Sequence, residues 1–501
     1  MEHPDKLDFT RAIDKNKQHG GKLFRLNEDS YFSLVLRWLM TSKGGILKKR
    51  VRMGIRVILC FTALFFFSCA SRGNVYRDLD LAVSQNDFER GVEAIRRGQE
   101  ARRPLYPEGN AVSLYLDKGL LEHYAGNYRN SSQDLQEAER LIEEAFTKSI
   151  TAEIASYIVN DNTKAYPGED YEDIYLNVFN ALNYYHNNDL EGAMVEIRKI
   201  TLSNGKLDML ARKYEGKNKA TKEYAENRLS SMGSKDELKL PPGKQVDFSN
   251  SALARYLSAL FYQGQGNMDD ARIEFDQLRS AFSGNPNVYY NAIPPSAADA
   301  QNIPRGKARL NIIGFTGLSP IKEERISFPL GPNYPLKLPE LVERPSGIDR
   351  IEVNVHNQGV FNLELLEDMG AVAEAVYLAH YENIYLKTFI RTFLKYAAAE
   401  VAAISAAAAM ERQAGGLAGS LMGLGVSLLA RAGVDASEKA DIRMGRFFPD
   451  KAYIGGVNLD PGTYQVTVAF YHRGEVIAKS EFRDQNIRLN ELNLIEAVCL
   501  K

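Results

Sequence analysis

The chain has 501 residues, of which 45% are hydrophobic and 25% are charged, and these fractions are ordinary for globular proteins. Its formal net charge of −2 excludes the basic footprint of a nucleic-acid-binding protein, so no nucleic-acid partner is predicted. The three cysteines, Cys60, Cys69 and Cys499, supply no disulfide framework, and the stability of the fold must therefore come from buried area.

A short apolar run lies near the N-terminus. Val57–Phe67 contains eleven uncharged residues, follows a cluster of Lys and Arg, and directly precedes Ser68-Cys69. This order is typical of a bacterial lipoprotein signal. The run is too short to cross a bilayer as a helix, which takes about 20 residues. We therefore expect a signal peptide at 53–68 and a lipidated Cys69; the alternative is a weak transmembrane anchor with an incidental cysteine.

Residues 1–52 precede this signal, although an ordinary signal begins within a few residues of the initiator. Met40 or Met53 would each give a signal of normal length. We expect 1–52 to be an over-extended N-terminus or a cleaved leader, and assign it neither fold nor function.

Residues 76–285 read as successive helices with a recurring unit. The clearest copies surround Gly126-Asn127-Tyr128 and Gly266-Asn267-Met268, a weaker one surrounds Asn188-Asp189-Leu190, and a half copy begins at Asn86-Asp87-Phe88. The spacing of small and large residues matches the tetratricopeptide (TPR) pattern. It predicts paired antiparallel helices in a TPR-like α-solenoid, with a non-repeating helical bundle as the alternative.

Small residues mark the predicted helix crossings of these units. Gly119 and Ala259 would let a neighbouring helix approach, and Ala193 and Ala271 would lie where the second helix crosses the first. The copies are not contiguous. Residues 202–245, which are rich in lysine and end in two prolines and a glycine, predict an irregular insertion.

Residues 300–501 predict an α+β domain. Short β-branched segments bounded by Pro or Gly indicate strands within 309–355 and 457–482, with a helical segment at 362–412 between them. The strands on either side of the helical segment are expected to pair. The predicted fold class is therefore multidomain: a TPR-like α-solenoid followed by a β-sheet domain with an inserted long helix or helical hairpin.

The segment 414–430 has no charged residue, and its first glycines recur every four positions. On a helix these glycines form one stripe that permits close approach of another backbone. The favoured interpretation is a hairpin packed on the alanine-rich helix 397–409. The alternatives are membrane contact or oligomerisation, and a mobile glycine-rich loop.

Motifs of catalysis are missing from the sequence. It has no phosphate-binding glycine loop and no zinc-type pair of histidines, and Cys499 has no catalytic setting. Several tyrosines of the helical half could line a groove, but packing is their commoner use: Tyr115, Tyr124, Tyr128, Tyr184, Tyr185 and Tyr262. We predict no enzyme, cofactor, metal or small-molecule substrate.

The mature chain resembles an uncharacterised family of bacterial lipoproteins with a TPR-like N-terminal half and a distinct C-terminal domain. The resemblance is carried by Ser68-Cys69, by the two Gly-Asn units above, and by a tail motif. The tail runs from Ala440-Asp441-Ile442-Arg443 through Phe448-Pro449 to Leu459-Asp460-Pro461-Gly462-Thr463-Tyr464, and Phe448 replaces the leucine of the family pattern. The resemblance implies an envelope location without known catalysis. It also implies partners in peptidoglycan synthesis, since some members are encoded near activators of peptidoglycan synthases.

Two hypotheses of function follow. The first is a lipid-anchored scaffold or adaptor of the cell envelope, on the outer membrane facing the periplasm, whose repeats bind another envelope protein, because solenoids offer extended binding surfaces. The second is a component of a membrane or transport assembly that oligomerises or contacts lipid through 414–430. A cell-wall hydrolase is a weaker third, since no clustered Glu/His or Cys/His motif is present.

Overall fold

The computed structural model describes residues 76–151, 162, 164–231, 248, 250–328, 335–414 and 416–501, which belong to one compact unit, Gly73–Lys501. The predicted leader 1–52, the signal 53–68 and the lipidation site Cys69 lie outside the described residues.

Paired helices make up the first half. They are α1 (Arg77–Ser84), α2 (Phe88–Glu100), α3 (Ala111–Tyr124), α4 (Tyr128–Thr151), α5 (Asp170–His186), α6 (Leu190–Ser231), α7 (Ala252–Gly264), α8 (Met268–Gly284) and α9 (Pro295–Gln301). The pairs α1/α2, α3/α4, α5/α6 and α7/α8 pack against each other. Gly119, Ala193, Ala259 and Ala271 are all buried, as their predicted place at helix crossings requires.

The four pairs share one turn geometry. Two residues after the end of the first helix, the backbone is left-handed: at Asn86 (φ 56°), Gly126 (φ 80°), Asn188 (φ 59°) and Gly266 (φ 77°). In each turn the next residue donates its N–H to the carbonyl five positions earlier, at 2.8–2.9 Å. Glycine and asparagine alternate at this position because both tolerate positive φ. Similar sequence units therefore form similar helical hairpins.

The irregular insertion predicted at 202–245 is wrong for its first thirty residues. Helix α6 continues without a break to Ser231, and residues 232–247 lie outside the described chain. Lysine, glutamate, alanine and leucine dominate 202–231, and these residues favour a helix even where they are solvated. The end of α6 is held by Ala225, which is buried against Leu386 and Ile390.

Strands make up most of the second half. They are β1 (Ala308–Thr316), β2 (Ile321–Ser327), β3 (Leu336–Val342), β4 (Arg350–Val355), β5 (Gly359–Asn362), β6 (Glu364–Asp368), β7 (Lys451–Leu459), β8 (Gly462–His472), β9 (Glu475–Ile487) and β10 (Asn493–Cys499). They form an inner sheet of order β10-β1-β7-β6, an outer sheet of order β5-β4-β8-β9, and the two-stranded ribbon β2-β3. β1 and β10 are parallel, and the other neighbours are antiparallel.

The predicted pairing of strands across the helical segment is confirmed. β1 pairs with β7, and β4 pairs with β8. The helical segment predicted at 362–412 begins later, because β6 occupies its first residues, and helix α10 spans Met369–Ala414. The fold therefore mixes helices and several sheets, in agreement with the coarse α and α+β prediction.

Helices, inner sheet and outer sheet form three layers. All nine residues of β1 are buried. Ile313 and Phe315 belong to the core shared with the helices, whereas Leu310 and Ile312 belong to the core between the two sheets. Successive residues of a strand point to opposite faces, so a strand in the middle layer must be apolar on both. The helices and the strands thus share one continuous core across the predicted domain boundary near residue 300.

The described residues of the uncharged segment 414–430, which are 414 and 416–430, are helical. Helix α11 (Gly416–Ser437) packs against α10, and Arg431 forms an ion pair with Glu400 at 2.9 Å across the two helices. At the base, Glu438 binds Arg391 at 2.9 Å and Lys395 at 2.5 Å. The favoured hairpin is confirmed and the mobile loop is wrong. Among the described residues, no helix combines the length and the apolar character needed to cross a membrane.

Candidate functional site

An open cleft of about 680 Å³ lies between the β2–β3 ribbon and the first turns of α10. This volume is within the range of about 300–1,000 Å³ found for ligand pockets. Four parts of the chain line it: the ribbon, the segment after β3, the N-terminal end of α10, and the start of β7. We name it the ribbon cleft.

The floor of the ribbon cleft is a pair of aspartates around a lysine. Lys451 Nζ lies 2.5 Å from Asp450 Oδ2 and 3.7 Å from Asp368 Oδ2. Burial opposes the charge of Lys451, but the two carboxylates outweigh it and raise its pKa. Asp368 also begins α10, because its Oδ1 accepts a hydrogen bond from Ala371 N at 2.9 Å. A Cβ on Gly370 would lie 2.2 Å from Asp450 Oδ1, so only glycine permits this approach.

Carboxylates outnumber cations in the lining. The acidic residues are Glu340, Glu343, Asp368, Glu374 and Asp450, and the basic ones are Arg325, Arg344 and Lys451. Arg325 is paired with Glu340 at 2.5 Å. Arg344 donates to the carbonyl of Ser319 at 2.8 Å and to that of Arg446, and burial lowers its pKa to about 9. The cleft therefore presents a surplus of negative charge.

One wall of the ribbon cleft is aromatic. Tyr377 and Tyr381 line it, with ring centroids 5.5 Å apart, and begin a row of stacked or tilted rings that continues along one face of α10. The next members, Tyr385 and Phe389, pack against β3. Tyr377 donates its hydroxyl to the carbonyl of Pro339 at 2.7 Å, which fixes the helix to the ribbon. Such faces accept cations and apolar stems alike.

The ribbon adds unpaired strand edges. Among the described strands, β2 and β3 pair only with each other. Pro339 lies within β3, and proline is tolerated in strands that are at an edge, where its missing N–H removes no ladder bond. An extended peptide can pair with such an edge through its backbone. The geometry suits an extended, positively charged segment better than a compact ligand.

Residues 438–450, which we name the strap, connect α11 to β7 and end at the cleft floor. Two buried carboxylates from the helices accept consecutive strap amides, Gly445 N on Glu172 Oε1 and Arg446 N on Asp117 Oδ1, both at 2.5 Å. Burial raises the pKa of each carboxyl to about 7. The strap thereby fixes Asp450 relative to the helical layer.

Other strap residues are anchored as firmly. Phe447 and Phe448 are fully buried, and Arg443 donates to the carbonyls of Gly109 and Lys164 at 2.8 and 2.6 Å. The tail motif that carries the family resemblance therefore begins in the strap. Its Asp441 binds Arg443 at 2.7 Å. These residues hold the strap in place.

Two buried carboxylates join the inner sheet to the helices. Glu496 on β10 lies 2.7 Å from His123 and 3.1 Å from His186. Burial opposes its ionisation, but the two histidines outweigh burial and lower its pKa to about 2. Glu367 on β6 accepts hydrogen bonds from residues of α5, the start of α7 and the loop after α8, namely Tyr175, Ser251, Leu253 N and Tyr289. Both carboxylates are buried and bind only side chains and backbone groups of the chain itself.

Of the residues singled out from the sequence, those that the structure describes lie outside the ribbon cleft. Cys69 is outside the described chain, and Cys499 is buried in the core between the sheets. Tyr124 donates to Phe447 O and Tyr185 to Leu492 O, so these tyrosines serve packing. Sequence reasoning missed the ribbon cleft, because its carboxylates are spread over more than a hundred residues. The only local sign was the run of prolines around β3.

Within the described residues, no three His, Cys, Asp or Glu side chains lie close enough together to hold a metal ion. Comparison with protein-family models, with curated proteins and with solved structures finds no match to this chain.

Proposed function

We propose that the protein is a lipid-anchored adaptor of the bacterial cell envelope that binds a partner protein and performs no catalysis. The observation that carries the proposal is the ribbon cleft: it is open, acidic and aromatic, and it adjoins unpaired strand edges. The anchor rests on the signal-like order that ends at Ser68-Cys69. The outer membrane, facing the periplasm, is the proposed location.

The helix pairs are proposed to be TPR-like, and their shared turn geometry supports this. The face that an open solenoid would offer a partner is covered by the inner sheet. His123 of α3, Tyr185 of α5 and Tyr256 of α7 each bond to residues of, or next to, β1 or β10. We therefore propose that the partner binds the ribbon cleft and not the repeats.

The partner we propose is an envelope protein that presents an extended basic segment. Lys or Arg side chains would reach the carboxylates of Glu343 and Glu374 while their stems pack on Tyr381. The resemblance to the lipoprotein family adds proteins of peptidoglycan synthesis as the first partners to examine.

Charge reversal in the cleft tests this proposal. Glu374→Lys, carried by the lipidated protein in its own envelope, should reduce recovery of the partner at least fivefold after cross-linking and purification. The matched control is Glu475→Lys, which changes another exposed glutamate, at the start of β9, and should leave recovery unchanged. Equal recovery with both variants would place partner binding elsewhere.

A second candidate function is a component of a membrane or transport assembly. It is favoured by the large aliphatic side chains that the α10–α11 hairpin exposes.

A further inference from the structure

The far part of the helical hairpin exposes more large aliphatic side chains than a solvated helix normally does. We name this part, residues 397–414 of α10 and 416–437 of α11, the distal hairpin. Four of its side chains are more than three-fifths exposed: Val401 66%, Ile404 64%, Leu428 61% and Leu429 68%. Contiguous exposed apolar patches of this kind mark contact surfaces on soluble proteins.

Several exposed positions of the distal hairpin on α10 lie on one side of the helix. Ala398, the pair Val401 and Ala402, Ser405 and Ala409 are exposed and lie three or four residues apart, and Ile404 and Ala408 are exposed beside them. This is the spacing at which one helix meets another, and charged residues would be expected there if water were the only neighbour. From Ala398 to Ala409 the face is apolar or small, and Arg412 follows at its end, so its composition suits a neighbouring helix.

The glycines of α11 lead to the same conclusion. Gly425 and Gly433 lie inside the helix, where glycine is unfavourable. No described atom lies within 4 Å of the place that a Cβ would occupy at either position. The close approach that these glycines permit is therefore not used by α10. A helix from outside the chain can use it.

The charge of the distal hairpin distinguishes protein from lipid as its neighbour. Residues 397–437 contain two arginines and three acidic residues, a net charge of −1: Arg412, Arg431, Glu400, Glu411 and Asp435. Helices that lie on membranes carry a surplus of Lys and Arg on their polar face. The distal hairpin lacks this surplus, which favours a protein neighbour.

The available area fits a second copy of the chain. At 1.5 Å per residue α11 is about 33 Å long, and two helices side by side are about 20 Å wide. One face of the distal hairpin thus offers roughly 650 Å², and two copies together bury about 1,300 Å², at the lower end of standard interfaces. A twofold axis would bring the same face of each copy together.

We propose that the distal hairpin is a self-association surface, through which two copies of the chain pack into a four-helix bundle. The proposal goes beyond the adaptor function and needs neither the lipid anchor nor the ribbon cleft. It assigns the exposed aliphatic side chains to the centre of the interface and the α11 glycines to the closest helix contact.

Sedimentation of the unlipidated protein tests the proposal. With the signal removed and Cys69→Ala, the protein should be dimeric at 10–100 μM. The double substitution Leu428→Glu with Leu429→Glu should weaken the dimer at least a hundredfold. The control, Val476→Glu, changes a 53% exposed side chain on β9 and should leave the dimer intact.

A second variant separates association from folding. Gly425→Leu has room in the single chain, so it should weaken the dimer while the thermal midpoint of the monomer stays the same or rises. A monomer throughout the concentration range would overturn the proposal. So would a monomer that binds vesicles of phosphatidylethanolamine and phosphatidylglycerol through Leu428 and Leu429, because the face would then be a lipid contact. Neither result would affect the adaptor proposal.

Discussion

At the scale of single residues, buried carboxylates determine how the parts of this protein are held. Asp117 and Glu172 accept the amides of the strap, while Glu496 binds two histidines. Their pKa values move in opposite directions because Glu496 has two imidazole partners within hydrogen-bond distance, whereas the partners of the other two are mainly amide and hydroxyl donors. None was predictable from sequence, since each partner comes from a distant part of the chain.

Titration of Asp117 and Glu172 should lower the free energy of unfolding as the pH rises towards neutrality. The pKa of Asp117 and of Glu172 is about 7 in the fold and about 4 in the unfolded chain. The folded state therefore binds more protons between pH 4 and 7, so the free energy of unfolding decreases over this interval. Between pH 5 and 8 we expect a loss on the order of 2–3 kcal/mol per carboxyl, measured by urea unfolding.

Replacement of one carboxyl isolates its share of that loss. Asp117→Asn keeps an acceptor for Arg446 N but cannot ionise, so the difference between pH 5 and pH 8 should shrink by about half. An unchanged difference would show that Asp117 does not titrate in this range.

Glu496→Gln should destabilise the fold, and the loss of stability should be larger at low pH than at high pH. Burial opposes protonation of His123, but Glu496 outweighs it and raises the pKa of the histidine. The attraction is present below the ordinary histidine pKa and is lost as the pH rises through the raised value. We expect a cost of about 2 kcal/mol at pH 6 and less at pH 9, measured by urea unfolding. Removing one partner of a buried pair leaves the charge of the other buried and uncompensated. An equal cost at both pH values would contradict a charged pair.

At the scale of elements, local sequence predicts turns and long helices well. The Gly-Asn units coincide with the left-handed turns at Gly126 and Gly266, and asparagine takes the same conformation at Asn86 and Asn188. Local sequence is less informative at β3, because Pro339 within it disfavours a central strand. An edge strand accepts that proline, and whether a strand is at an edge depends on the rest of the fold.

Overpacking tests the helix crossings. Ala271 is 2% exposed, so Ala271→Leu should cost about 1–3 kcal/mol of unfolding free energy. Ala298→Leu in α9 is the control, because Ala298 is exposed, and it should change stability by less than about 0.5 kcal/mol. Equal effects in thermal or urea unfolding would mean that Ala271 does not lie at a tight crossing.

At the scale of the whole molecule, the sequence predicted helices first and strands second, but not that they share a core. Ile313 and Phe315 of β1 pack with helical residues, and Phe179 of α5 lies 5.1 Å from Phe315, ring centre to ring centre. A segment such as RLNIIGF predicts a buried strand without revealing what covers each face. The ribbon cleft escaped prediction for the same reason, since it depends on the position of α10 over the ribbon.

The shared core predicts a single cooperative unfolding transition for the described unit. Ile313→Ala removes a fully buried side chain and should cost about 2–5 kcal/mol. The midpoint should fall equally when helix content and tyrosine environment are followed by far- and near-ultraviolet circular dichroism. Two separate transitions, with only one moved by the substitution, would show that residues 76–285 and 300–501 fold independently.

The parallel pairing of β10 with β1 has a consequence for biosynthesis. Leu500 N donates to Asn86 Oδ1 at 3.2 Å, so the residue after β10 contacts the turn between α1 and α2. Neither the β1–β10 pairing nor the Glu496 contacts can form until residues 493–499 have been synthesised. The layers of the fold can therefore close completely only late in synthesis, after the helices and the other strands have been made.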